Sequence, residues 1–308
     1  MRGTPMPFPD RLAGAPISWG VCEVPGWGVI LPPERVLSEM SSLGLRATEI
    51  GAVGWLPSDP SLLREVLARH ELTAVAGFVP LPLHDPGQWP GALADARAVA
   101  DRLQRAGARV FVSAAVTDPA WSPRIPLDAG AWRHLTAALS ILDDVAGEHE
   151  LVHVLHPHVG TLVETADDVR RVLDGSDVRW CLDTGHLAIG GTDPVAFASD
   201  AAGRIGHVHL KDVDLAVAAR LNAGELTLVE ATRMGLFPRL GAGDVAVAEL
   251  VVALERTGWD GWYVLEQDTC LTAEPSPGEG PVLDVRHAVE LLRTRIATKT
   301  ALTKGVSS

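Results

Sequence analysis

Two hydrophobic rhythms alternate along the chain. Short apolar runs occur near Ile17–Val21, Ala47–Gly51, Thr73–Leu81, Arg109–Ala114, Leu151–Pro157, Val178–Thr184, Ile205–Lys211 and Trp262–Gln267. Each is followed by a longer stretch whose apolar residues recur every three to four positions, the spacing of an amphipathic helix. These stretches are Pro33–Leu43, Pro60–His70, Trp89–Ala106, Ala129–His149, Ala166–Leu173, Pro194–Ala202, Val245–Thr257 and Val282–Thr298. Thr165, Asp193 and Asp244 stand where helix N-caps belong, and Gly44, Gly107 and Gly258 where helices stop. Alternating strand and helix signals repeated eight times imply the α/β class and a (β/α)₈ TIM barrel in a single domain. The expected barrel covers 15–298, after an N-terminal extension at 1–14 and before a polar tail at 299–308. The connection at 213–243 is too long for a plain loop. Its pattern suggests short helices around Leu215–Leu221 and Leu226–Met234.

Charge and composition narrow the classes. With 26 basic and 39 acidic residues the formal charge is −13, which argues against a nucleic-acid backbone binder. Cys22, Cys181 and Cys270 are widely spaced and odd in number, so they are read as reduced thiols rather than a disulfide framework or a zinc–cysteine site. There is no leader-like apolar segment at the start and no run long enough for a membrane helix. A reduced, cytoplasmic protein without membrane or nucleic-acid partners is expected. Eleven His and nine Trp against one Tyr are the compositional oddities.

In such a barrel, side chains at the C-terminal ends of the strands form the site, and alternate residues face the interior. That parity turns His156 and His158 inward after strand five, Asp183 at the end of strand six, and His207, His209 and Lys211 along strand seven. Glu266 ends strand eight, and strand two contributes Glu49. Adjacent strands ending in His, Asp, His and Glu present oxygen and imidazole donors without thiolate. That set suits Mn²⁺, Mg²⁺, Co²⁺, Fe²⁺ or Zn²⁺ with positions left for substrate oxygens. His153 has the opposite parity and reads as packed between barrel and helices. His207 sits deeper and reads as structural. His70, His84, His134, His149 and His287 lack partners in the pattern. Lys211-Asp212 could also be a plain surface ion pair, and Gly241-Ala242-Gly243 reads as a turn rather than a phosphate loop. Trp19, ending strand one, is expected to face the mouth and wall a sugar-like substrate. Trp180 and Trp132 read as core.

The segments His156-Pro157-His158-Val159-Gly160-Thr161, Asp183-Thr184-Gly185-His186, His207-Val208-His209-Leu210-Lys211-Asp212 and Val264-Leu265-Glu266-Gln267-Asp268 resemble the xylose-isomerase-like TIM-barrel superfamily. The first of them and the loop Gly235 to Gly243 are most similar to its inosose dehydratase branch. The resemblance runs from about Ala15 to about Leu292. It implies Asp183, His209 and Glu266 as metal ligands. The fourth ligand, commonly a Glu, is His156 here, or His158 if the register shifts. Mn²⁺ leads the metals it implies. His186 and Lys211 match substrate-contacting positions, and His186, His158 and Glu49 are the acid and base candidates. The implied reaction is metal-dependent dehydration of a cyclic keto-polyol such as 2-keto-myo-inositol, by proton abstraction beside the carbonyl and loss of water. The alternatives are keto-sugar isomerisation or epimerisation, or elimination from a C-glycoside, on the same site. A metal-free sugar-binding module is the rival from outside enzymology. The expected partner is a small-molecule keto-polyol or keto-sugar, and the resemblance implies a homo-oligomer.

Overall fold

The computed structural model describes residues 6–22, 24 and 26–304, with side chains through residue 295. Nine parallel strands form one sheet. They are β1 (Leu12–Gly14), β2 (Ala47–Thr48), β3 (Thr73–Ala74), β4 (Ala76–Leu81), β5 (Val110–Ala115), β6 (Val152–Leu155), β7 (Trp180–Asp183), β8 (Ile205–Leu210) and β9 (Tyr263–Leu265). The order is β3-β2-β1-β9-β8-β7-β6-β5-β4. Its two edges, β3 and β4, are separated in sequence by Val75 alone. The Val75 N–H donates to Thr48 O, while its own carbonyl accepts from Arg109 and Val110 on the other side. One kinked strand therefore joins both ends of the sheet and closes the TIM barrel. The single run expected over Thr73–Leu81 is this strand.

The helices are α1 (Pro33–Ser42), α2 (Pro60–Arg69), α3 (Trp89–Ala106), α4 (Ala129–Glu148), α5 (Ala166–Gly175), α6 (Thr184–Ile189), α7 (Pro194–Asp200), α8 (Leu215–Asn222), α9 (Leu228–Arg233), α10 (Val247–Arg256) and α11 (Pro281–Lys304). Local chemistry sets many of their ends. Thr165 and Asp168 form a reciprocal capping box on α5, and Asp193 caps α7 ahead of Pro194 at its first position. Gly107 ends α3 with a φ of 89°, a left-handed conformation that a side chain would resist. The helices pack an outer apolar layer onto the barrel, with Trp180, Phe111, Leu139 and Val208 among its fully buried members. A second, smaller core fills the barrel itself: Ala13, Ala47, Ala76, Val112, Val154, Cys181 and Val264.

Three expectations are corrected. The first strand is Leu12–Gly14, within the segment expected as an extension, because Pro16–Trp19 forms a 3₁₀ helix instead of continuing in extended form. Asp244 does not cap α10, whose N-cap is Ala246; its carboxylate accepts the Leu215 N–H at the start of α8. The tail expected from Lys299 is helical as far as Lys304, and residues 305–308 lie outside the described residues. The connection at 213–243 carries the two expected helices, α8 and α9, over a third apolar cluster that includes Val159, Val213, Leu236 and Phe237. Among the described residues no helix is long and apolar enough to cross a membrane.

Candidate active site

At the C-terminal end of the barrel, four strand ends converge on one buried point. His156 follows β6, Asp183 ends β7, His209 lies on β8 and Glu266 follows β9. His156 Nε2 is 3.1 Å from His209 Nδ1 and 3.5 Å from Asp183 Oδ2. His209 Nδ1 is 3.4 Å from Asp183 Oδ2 and 3.1 Å from Glu266 Oε2. A tetrahedral cation with ligands about 2.0–2.2 Å away has donor–donor edges of about 3.3–3.6 Å, so these spacings are of the right size. His186 also belongs to the convergent group, since its ligand atom and those of His156, Asp183 and Glu266 lie within 4.8 Å of one another.

Asp183 shows how the local fold aims a donor. Its Oδ1 accepts the Gly185 and His186 N–H groups, both at 2.8 Å, and so caps the short helix α6. Its Oδ2 is buried without a hydrogen-bond partner. His209 Nδ1, His156 Nε2 and Lys211 Nζ stand off from it at 3.4, 3.5 and 3.6 Å, and a buried carboxylate oxygen held so loosely is costly unless a cation balances it. The charge balance points the same way. Four carboxylates, Glu49, Asp183, Glu266 and Asp268, are buried around the Lys211 ammonium and the His209 imidazole, more negative groups than positive ones. The cluster therefore fits a divalent cation, which Asp183, His209, Glu266 and His156 would hold.

Glu49 lies behind this group. Its Oε1 accepts from His207 Nε2 at 2.8 Å and from His209 Nε2 at 3.0 Å. Burial works against its charge, but His209 and His207 outweigh it and hold the carboxyl well below the usual range. An ionised Glu49 requires a His209 proton on Nε2, so Nδ1, facing Asp183 and Glu266, is the nitrogen that can exchange its proton for a cation. This is the carboxylate–histidine arrangement that orients a metal-ligating imidazole. Burial also opposes charge on His209, yet the Cys181 sulfur, Glu266 and Glu49 carry its pKa well above normal. Surroundings that favour a proton there favour a cation as well.

Lys211 is sealed in the site and is not a surface residue. Its Nζ is 2.9 Å from Glu266 Oε1, 2.8 Å from Asp268 Oδ1 and 3.0 Å from His186 Nε2. Burial disfavours the ammonium, but Asp183, Asp268 and Glu266 keep its pKa above the ordinary lysine value. Asp268 itself is pushed up to about 6, chiefly by burial. Thr184 pins the lysine backbone, donating to Lys211 O at 2.6 Å and accepting its N–H at 2.7 Å. The neighbouring Asp212 does not pair with Lys211 as a surface ion pair would. It accepts the N–H groups of Val213, Gly241, Gly243 and Val245, and so anchors both ends of the long connection. The Gly-Ala-Gly segment is thus a turn around a carboxylate.

His158 and His186 stack with ring centroids 3.8 Å apart. His158 donates Nδ1–H to Val159 O at 2.7 Å, which leaves Nε2 as its lone pair. Desolvation first, then His156 and Lys211, push it down to about 3, so it is neutral. His186 accepts the Val159 N–H on Nδ1 at 3.3 Å. Burial, then His158 and Lys211, hold it well below the usual histidine range. Phe78 and Trp121 extend this aromatic side, with Trp121 stacked on Phe78 and edge-on to His158. Phe237, from the long connection, lies under the Lys211 ammonium at 5.0 Å.

Trp19 is placed elsewhere. It is fully buried in the outer core, and its indole N–H donates to Glu39 of α1 at 2.8 Å. Strand alternation does not govern a 3₁₀ turn, so the side chain packs against a helix and Trp121 is the tryptophan beside the cluster. His153 bridges Ser113 and Asp143 between barrel and α4, as its parity suggested. Asp268 was not singled out from sequence, although it shares parity with Glu266. That His207 binds Glu49 carried no sequence signal, because the two lie far apart in the chain.

Comparison with known proteins places this geometry. The chain is 30% identical over 280 residues to an inosose dehydratase of Geobacillus kaustophilus, a match spanning 87% of this chain and 90% of that protein. It is 32% identical over 277 residues to the rhizopine catabolism protein MocC of Rhizobium meliloti, spanning 84% and 81%. Among solved structures it resembles the IOLI protein with a zinc atom, at a TM-score of 0.66 and 14% identity, covering 94% of this chain and 97% of that one; this likeness concerns the fold. The family model for the xylose isomerase-like TIM barrel matches residues 37–295. The chain belongs to the xylose isomerase-like TIM barrel family.

Proposed function

We propose that this chain is a divalent-metal-dependent hydro-lyase that removes water from a cyclic keto-polyol, with 2-keto-myo-inositol as the leading substrate and Mn²⁺ as the leading metal. The convergence of His156, Asp183, His209 and Glu266 on one buried point, with Asp183 Oδ2 left without a hydrogen bond, is the observation that carries the reading. Similarity to inosose dehydratase across most of the chain supports the substrate. Bound there, a divalent cation supplies Lewis acidity toward a ketone oxygen and its neighbouring hydroxyl.

The remaining chemistry falls to the chain's own groups. Neutral His158, its Nδ1–H committed to Val159 O, offers Nε2 as the base for the proton beside the carbonyl. Lys211, charged and pinned by Thr184, holds a substrate oxygen through N–H donation. As an ammonium it can also give the departing hydroxyl its proton. Positioned proton transfers of this kind are worth roughly 10²–10⁴-fold each. Glu49 orients His209 and does not touch substrate. The indole and phenyl faces of Trp121 and Phe78 suit the C–H face of a polyol ring.

The test is incubation of the purified, Mn²⁺-loaded protein with 2-keto-myo-inositol in D₂O, followed by NMR and mass spectrometry. Loss of one water supports dehydration. Proton exchange without mass loss shifts the reading to epimerisation, and bound metal with neither change removes the substrate claim.

A further inference from the structure

Inside the barrel, one inward step below Asp183 on β7, Cys181 points at the same imidazoles that complete the site above it. A residue pair in a parallel strand advances about 6.6 Å, so this thiol belongs to the layer beneath the carboxylates. One ligand atom each of His156, Cys181 and His209 lie within 4.8 Å of one another, all three residues buried. That layer also holds Val112, Val154 and Val264 and, beside Cys181 on β8, His207, whose Nε2 is taken by Glu49. His156 adds an independent mark, since its Nδ1 is buried with no hydrogen-bond partner. Unlike His209, its ring has no carboxylate behind it to fix its orientation.

We propose that Cys181, His156 and His209 form a second cation position, lower in the barrel, that takes a thiophilic cation of the Cd²⁺ or Zn²⁺ class. Two imidazoles and one thiolate are a soft donor set, whereas the upper set is rich in carboxylate oxygen. The two positions share both imidazoles and are therefore mutually exclusive. A hard cation sits above with Asp183 and Glu266. A thiophilic one is drawn down, displaces the thiol proton to solvent and forms one metal–sulfur bond. Occupancy of the lower position would strip the upper one of two ligands and act as metal inhibition. The proposal rests on His156 and His209 being ligands of the upper site, and its test separates the two.

The probe is CdCl₂ titrated into the metal-stripped full chain, followed by sulfur-to-metal charge-transfer absorption and bound Cd²⁺. The expected result is a band that saturates at one Cd²⁺ per chain. Cys181→Ser and Cys181→Ala should both abolish the band and weaken Cd²⁺ by more than the roughly 10-fold that loss of an outer partner costs. A double Cys22→Ser, Cys270→Ser variant should keep it. Thermal melts show that each variant is folded, and the alanine replacement guards against a buried serine hydroxyl perturbing the core. Asp183→Asn should lose Mn²⁺ and keep the Cd²⁺ band. A wild-type protein without the band, or a Cys181 variant that retains it, overturns the lower site. Undiminished Mn²⁺ binding by Asp183→Asn would count against the upper site alone.

Discussion

Two layers inside one barrel, built by the same strands, behave oppositely. In the lower layer Val154, Cys181 and Val264 point inward with Ala13, Ala47 and Ala76 and make a mostly apolar plug, which on β8 carries the imidazole of His207, bonded to Glu49. Two residues further along each strand, the inward positions become His156, Asp183 and Glu266, and the interior turns into a dense set of donors and charges. The backbone is the same in both layers. What changes is that the upper layer faces the loops, where α6, the Asp212-anchored connection and the His158 turn supply partners that the plug lacks. A barrel can bury so much charge only where the strands end and loop N–H groups, a lysine and a cation can meet it.

Substitutions can break that contrast. The largest effect is expected in the upper layer: Asp183→Ala or Glu266→Ala should abolish Mn²⁺ binding, measured as metal per chain after dialysis, and activity with it. Next comes Gly185→Ala. A Cβ there would sit 2.7 Å from Lys211 Cγ and Cδ, so the lysine must move. An ångström-scale misplacement costs about 10²-fold in turnover, with metal content retained. Glu49→Gln removes the orienting charge behind His209 and should weaken Mn²⁺ by roughly 10–100-fold, read by calorimetry. If Glu49 were instead the catalytic base, turnover would fall with metal affinity intact.

Lower-layer changes should register as stability alone. Val264→Ala should cost about 2 kcal/mol in urea unfolding while leaving Mn²⁺ affinity unchanged. A loss of metal in that variant would mean that the plug positions the donors above it. The smallest effect lies outside both layers. Thr165→Ala removes a cap worth about 1 kcal/mol. Burial raises the Asp168 pKa, but the Thr165 hydroxyl and N–H, followed by Arg124, outweigh it and depress the folded value. The contribution of Asp168 is therefore present above its unfolded pKa and lost as pH falls through the lower folded one. The gap between wild type and Thr165→Ala, read by urea melts at neutral and strongly acidic pH, should narrow in acid.

Much of this was legible in the chain. Period-two alternation is a local property, so it turned Asp183, His209, Lys211 and Glu266 inward without knowledge of what they meet. Helix caps such as Asp193 and Thr165 were equally local. Trp19 was misplaced because alternation was applied to a 3₁₀ turn, and the first strand lay upstream of its expected position for the same reason. Asp244 looked like a cap in sequence, but packing of the long connection gave its carboxylate to Leu215.

Sequence by itself determined the barrel, the strand ends that carry chemistry and the donor types at those ends, because all of these follow from spacing within a few residues. Only the tertiary structure decided who meets whom. The Glu49–His207–His209 bridge, the Lys211 pocket of three carboxylates and the shared imidazoles above Cys181 join residues from separate strands. Their contacts are fixed by closure of the sheet through Val75 and by the stagger between neighbouring strands, which no local pattern encodes.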